Sequence, residues 1–192
     1  MMENGNGILI RDAEVADAPF IARCVLAGIE MLPVEAELPA EMQPMFDHLV
    51  GICLMDDTLY SYRNTVVAEI DGTVAGALVA YDGADYAAMR QTTFNLVERN
   101  TGVKLNQNAM ETGAGEYYLD SMAIKPQYRG RNIGKMLMQN RMKHARNQGI
   151  AKVTLLVDID KPRLQAYYES LGFAFIEQMF VFGSWYNKLG NS

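Results

Sequence analysis

Residues 116–158 constrain the fold more than any other part of the chain. A strand-like run, Glu116 to Ile124, ends just before Pro126. The turn Gln127-Tyr128-Arg129-Gly130-Arg131-Asn132-Ile133-Gly134 follows, and a helix-like run starts inside it, continues to about Gln148 and stops at Gly149. Lys152 to Asp158 then reads as a β-branched, buried strand. A glycine-rich turn between strand and helix can gather backbone N–H groups and a helix N-terminus around one anion. Arg129, Arg131 and Lys135 add mobile positive charge there. Residue chemistry alone leaves two readings, a phosphate or pyrophosphate site and a tight turn with solvated arginines.

Charge is divided along the chain in a way that bears on this choice. Residues 125–163 hold 10 of the 17 Lys and Arg and only the acids Asp158 and Asp160, a net +8, whereas residues 1–124 carry −13. The overall charge of −6 argues against a nucleic-acid partner, while the basic block could attract a polyphosphate. With 192 residues, 49% of them apolar, residues 1–192 are expected to form a single domain with one substantial core. No secretory leader and no apolar run long enough to span a membrane is visible, so a cytoplasmic protein without membrane contact is expected. Cys24 and Cys53 form no metal or disulfide pattern, and no metal is expected.

Along the chain, residues 1–7 read as a loose tail and Ile8 to Arg11 as a first or edge strand. Asp17-Ala18-Pro19 opens a helix with an apolar stripe at Ile21, Cys24, Val25 and Ile29. Met42, Met45, Phe46, Leu49 and Ile52 suggest a second, short helix. Asp71-Gly72, between two β-rich runs, predicts a hairpin, since both residues tolerate positive φ. Residues 82–115 begin with a helical pattern, Ala84 to Glu98, and continue as a polar, glycine-containing stretch. Phe173 to Phe182 and Trp185 to Leu189 would close the sheet about a turn at Gly183-Ser184. Their aromatics read as sheet packing or as the surface of a homodimer.

In the strand before the turn, strict alternation puts Tyr118, Asp120, Met122 and Ile124 on one face and Tyr117, Leu119, Ser121 and Ala123 on the other. Asp120 inside this apolar strand must be paired or must meet water in a cleft, because an unpaired buried carboxylate is costly or has a raised pKa.

The turn resembles the acyl-CoA loop of the GNAT superfamily of acetyl-CoA-dependent N-acyltransferases. That loop has Gln or Arg, two residues, Gly, one residue, then Gly or Ala, after a strand and a Pro and before Ile-Gly. Gln127, Gly130, Ile133 and Gly134 match it; Asn132 stands where Gly or Ala is usual. Downstream, Lys152 to Asp158 leads through Asp160 and Ala166 to Tyr168, Leu171, Gly172 and Phe173, similar to the family's strand, helix and Tyr-x-x-x-Gly-Phe. The matches cover roughly residues 116–173, and the pair is far more specific than either alone.

The resemblance implies a mixed α/β fold (α+β), with a splayed, mostly antiparallel sheet flanked by helices, and residues 82–115 as an insertion. It implies acetyl-CoA as acyl donor and a primary amine, of a small molecule or a protein, as acceptor. Met122, Ala123 and Ile124 would lie beside the pantetheine, and the backbone from Arg129 to Gly134, with Gln127 and Lys135, would take the pyrophosphate. Asp158 or Asp160 would order the loop after its strand; the family commonly has Asn near position 160, and the substitution leaves the role open. Tyr168 matches the tyrosine that protonates the departing sulfur. For the general base, Asp120 is the first candidate and Glu116 the second, both near the cofactor strand. No cysteine or serine nucleophile with a base is evident, so direct attack is expected. The rival readings are an acyl-CoA-binding module without catalysis and an interaction domain that binds no CoA.

Overall fold

The computed structural model describes residues 2–4, 7–105 and 110–191, with residues 2–4 as backbone alone. The expected loose tail therefore lies partly outside the described residues. Its segment Met2–Asn4 (β1) pairs antiparallel with Ile8–Asp12 (β2), which makes β2 an inner strand. The remaining strands are Thr65–Ile70 (β3), Thr73–Asp82 (β4), Glu116–Ile124 (β5), Lys152–Asp158 (β6), Ala174–Val181 (β7) and Ser184–Asn191 (β8). Helices are Ala18–Gly28 (α1), Gln43–Cys53 (α2), Tyr86–Thr101 (α3), Ile133–Asn147 (α4) and Pro162–Ser170 (α5).

These strands form one sheet in the order β1-β2-β3-β4-β5-β6-β8-β7. Every neighbouring pair is antiparallel except β5 and β6. That parallel pair is short, matching Glu116–Tyr118 with Lys152–Thr154. Beyond Tyr118 the two strands separate, and β6 keeps only its antiparallel bonds to β8. The expected mixed, mostly antiparallel, splayed sheet is what the chain adopts.

Hairpin β3–β4 turns at Asp71 and Gly72, with φ of 50° and 74°, the positive pair a two-residue turn requires. A core on one face joins Ile21, Val25 and Leu26 of α1 to Ile52 of α2, Tyr86 and Phe94 of α3, and Val67, Val79 and Tyr81 of the sheet. A second core on the other face packs Ile133, Leu137 and Met138 of α4 on Leu78, Ala80, Leu119 and Leu155. Such two-sided burial, at ~25 cal/mol per Å² of apolar surface, is what drives the layering. Among the described residues no helix is long and apolar enough to cross a membrane.

The faces of β5 depart from strict alternation. Its register with β4 shifts between Leu78 and Ala80, so that Asp120 and Ser121 together stand opposite Val79. This β-bulge turns both residues toward α1, where Ser121 lies against Gly28. Tyr118 and Ala123 belong to the α1 core, while Tyr117, Leu119, Met122 and Ile124 belong to the α4 core. Met122 and Ile124 therefore do not share a face with Asp120, contrary to the alternation.

Candidate active site

Beside the diverging half of β5 lies a cleft of about 530 Å³. One wall comes from the end of α1 and the following loop, with Ala27, Glu30 and Leu32 to Val34; the other comes from Met122, Ala123, Ile124, Arg129, Gly134 and Tyr167. The floor of the turn is shaped by two positive-φ residues, Gly130 at 76° and Asn132 at 61°. Asparagine is among the few side chains that adopt this conformation readily, which accounts for Asn132 at a position where glycine is usual. Helix α4 starts immediately after it with no side-chain cap. Helix geometry leaves the first-turn N–H groups, those of Ile133, Gly134 and Lys135, without intrahelical acceptors. Gly134 is the point of closest approach: a Cβ there would stand 3.2 Å from Ile124 Cδ1 and 3.4 Å from the Tyr167 hydroxyl.

The structure thus brings Met122, Ala123, Ile124, Arg129 and Gly134 to one cleft. Other residues expected at the cofactor are placed differently. Ile133 is buried in the α4 core and can contribute only backbone. Arg131 and Lys135 are exposed beside the turn, and the Gln127 amide donates to Glu35 Oε1 at 2.9 Å. Asp160 is exposed, and its N–H donates to Asp158 Oδ1 at 2.8 Å, so Asp158 rather than Asp160 orders this turn.

Tyrosines 167 and 168 divide their roles. Adjacent residues point about 100° apart on a helix, so α5 cannot present both to the cleft. Tyr167 lines it. Tyr168 instead packs on the α4 core, its ring 6.2 Å from Phe173, and burial pushes its pKa up to about 12. Of the two, Tyr167 is the one that reaches the cleft, while α5 turns the motif tyrosine, Tyr168, toward Phe173.

The carboxylates of β5 sit in opposite surroundings. Burial alone would raise the Glu116 pKa, but hydrogen bonds from Lys152 and Lys188, both at 2.7 Å, hold it at about 2. Thr112 and Thr154 hydroxyls donate to the same carboxylate. Glu116 thus joins three strands through its carboxylate, with both oxygens already accepting hydrogen bonds. Asp120 accepts from the Tyr81 hydroxyl at 2.6 Å and from Ser121 Oγ at 2.7 Å. Burial raises its pKa against the opposing pull of those two donors.

Sequence reasoning missed a second acid beside it. Glu111 accepts from the Tyr86 and Tyr118 hydroxyls at 2.9 and 2.7 Å, and burial together with the charge of Asp120 raises its pKa. The rings of Tyr81 and Tyr86 stack at 6.1 Å, and Tyr81 meets Tyr118 at 5.8 Å. Arg90 of α3 lies close enough to oppose the shift of Glu111. This cluster is assembled by the expected insertion: α3 ends at Gly102 in the left-handed conformation, and the chain from Met110 returns to β5. There Gly113 lies so close to Gly83 that a Cβ would meet its carbonyl oxygen at 2.2 Å.

Cys24 and Cys53 are buried, with thiol pKa values raised by burial. Among the described residues no group of three His, Cys, Asp or Glu is arranged to hold a metal ion.

A cleft along a splayed central strand, closed by an uncapped helix N-terminus, defines the architecture of an acyl-CoA-dependent transferase. The model of the acetyltransferase (GNAT) family matches residues 31–173, and the chain belongs to that family. Its structure is similar to a solved acetyltransferase at 28% identity, with a TM-score of 0.76 over 96% of this chain and 98% of that one. It is likewise similar in fold to an N-acetyltransferase from Staphylococcus aureus Mu50, at 24% identity and a TM-score of 0.77, over 95% and 99% of the two chains. No curated protein matches the sequence. The cleft residues fit an acyl-CoA: helix N–H groups and Arg129 suit its pyrophosphate, and the missing side chain of Gly134 leaves room beside Met122 and Ile124 for its arm.

Proposed function

We propose that the protein transfers an acetyl group from acetyl-CoA to a primary amine of a small cationic molecule by direct attack. The observation that carries this reading is Asp120, a carboxylate at a strand bulge two residues before Met122 of the cleft wall, with a pKa raised by burial. A raised pKa makes it a stronger base than a free aspartate. Acetyl-CoA supplies the acyl group as an activated thioester. Asp120 takes the proton of the arriving ammonium, and the freed nitrogen lone pair forms the C–N bond while the C–S bond breaks. Backbone N–H groups near Met122 stabilise the negative charge that grows on the carbonyl oxygen. The Tyr167 hydroxyl, in the cleft wall, protonates the departing sulfur, and the phenolate so formed takes the second proton of the amine nitrogen, so the products are an amide and a free thiol with one proton left on Asp120.

The acidic balance of residues 1–124, a net −13 against +8 in the block that carries the turn, supports a positively charged acceptor. The test is thiol release from acetyl-CoA over a panel of diamines, amino acids, amino sugars and neutral monoamines, alongside calorimetric titration with acetyl-CoA and CoA. Saturable binding and fastest turnover with the cationic amines are expected. Binding with no turnover on any amine would overturn the transferase reading in favour of an acyl-CoA-binding module.

A further inference from the structure

Two carboxylates share one cage of tyrosines in the α1 core. The Tyr81 hydroxyl donates to Asp120 at 2.6 Å, and those of Tyr86 and Tyr118 donate to Glu111 at 2.9 and 2.7 Å. All three rings are buried in that core, Tyr81 stacked on Tyr86 at 6.1 Å and tilted against Tyr118 at 5.8 Å. Three hydroxyl protons are thus divided between two acids, two to Glu111 and one to Asp120. Tyr118 lies two residues before Asp120 on β5, yet its hydroxyl is committed to Glu111. The residues after Glu111 fix its place. The Thr112 hydroxyl donates to the Glu116 carboxylate at 3.0 Å, the Glu116 N–H to the Gly113 carbonyl at 3.2 Å, and the Gly83 N–H to the Glu116 carbonyl at 2.8 Å. These bonds already fasten the connection to β5, so the fold needs no further tie from Glu111. Burial of its carboxylate beside a second acid costs stability that an amide side chain would avoid.

We propose that Glu111 is a positioning residue for the transfer reaction: by engaging Tyr86 and Tyr118 and adding a second negative charge to the cage, it leaves Asp120 with one tyrosine donor and makes it the readier acceptor of the ammonium proton. The proposal rests on Asp120 as that acceptor. Like charges in one low-dielectric cage repel, so the pair retains a proton that either acid alone would have released. In agreement, burial and the charge of Asp120 push Glu111 up to about 7, and burial raises Asp120 as well. The other ionisable groups acting on or near the pair are Cys24 of α1, Tyr60 before β3, Tyr186 of β8 and Arg90 of α3. The thiol and both phenols are shifted upward and stay neutral at neutral pH. Arg90 acts on Glu111 and offsets part of its charge.

Carboxyl-carbon NMR of the full chain, labelled at aspartate and glutamate, tests this without requiring turnover. In the unchanged protein the Asp120 and Glu111 signals should each move in two shared steps. Glu111→Gln should remove one step and let Asp120 titrate alone, roughly one unit lower. Glu111→Asp, which keeps the charge, should retain the shared titration. The acid limb of the pH profile for thiol release should shift down with Asp120 in Glu111→Gln, a change that a merely structural role would not produce. Independent single-step titrations in the unchanged protein would overturn the proposal, whatever the variants' folding. So would an Asp120 midpoint that Glu111→Gln leaves in place. Undiminished turnover in Asp120→Asn would overturn the proton-acceptor reading and this proposal with it. Uncoupled titrations beside an inactive Asp120→Asn would overturn this proposal alone.

Discussion

Glu116 and Asp120 lie four positions apart on one strand, yet their surroundings give them opposite chemistry. At the start of β5, where the sheet is still closed, lysines from β6 and β8 converge on Glu116 and keep it ionised far into acid. At the bulge, where β5 leaves β6, no cation is among the causes that set the Asp120 pKa, and its donors are neutral hydroxyls. The difference teaches that the splay does more than open a cleft. It withdraws the neighbouring strand, with its lysines, from one carboxylate and leaves that carboxylate basic. Charge pairing at the closed end supports the architecture; at the open end the carboxylate has only neutral donors.

The largest expected effect breaks the comparison at its open end. Asp120→Asn should lower turnover by ~10²–10⁴-fold, the range for losing a general base. Acetyl-CoA affinity, measured by calorimetry, should stay the same, and the acid limb of the pH–rate profile should disappear. Equal loss of turnover in Glu116→Gln would erase the distinction between the two ends. The effect expected there is on stability instead. Removing the Glu116 charge leaves Lys188 buried without its counter-charge, at a cost of about 2 kcal/mol after allowing for the more exposed Lys152. Urea denaturation measures this, and turnover of the folded fraction should be close to that of the parent protein.

A smaller effect sharpens the assignment of the acid that works with Asp120. Tyr167→Phe should reduce kcat ~10-fold or more and leave KM for acetyl-CoA nearly unchanged. Tyr168→Phe should alter neither, because its ring packs against Phe173 away from the cleft lining. The reverse result would return the role to the tyrosine that the sequence motif indicates.

Local patterns carried most of the architecture. The Asp71-Gly72 turn and the strand-turn-helix through Gly130 were legible because each depends on residues adjacent in the chain. The bulge was not, since nothing within Leu119-Asp120-Ser121-Met122 announces it; it arises from how β5 pairs with β4. Glu111 was hidden for a similar reason. It sits in a polar connection whose value comes from Tyr86 on α3 and Tyr118 on β5, neither near it in the pattern. Tyr167 and Tyr168 are adjacent in a short helix, and only the phase of α5 against the sheet decides between them. The aromatics of β7 read as sheet packing or as a homodimer surface, and among the described residues Phe175 and Phe180 stay 53% and 57% exposed.

The subtlest way to separate the two ends of β5 is stability against pH. Glu116 has a pKa lowered from 4.5 to about 2, so its contribution is present above the unfolded value and is lost as pH falls through that window. Glu111 has a pKa raised from 4.5 to about 7, and that of Asp120 is raised as well, so their contribution is full below the unfolded values and lost as pH rises through the folded ones. The two ends therefore oppose each other, and unfolding midpoints measured at about pH 3, 5 and 8 should be highest near the middle value. Glu116→Gln should flatten the acid side of that maximum, and Glu111→Gln the neutral side. A wild-type protein equally stable from about pH 5 to 8 would mean that Glu111 stays ionised at no cost, with its tyrosine hydroxyls and Arg90 offsetting its burial.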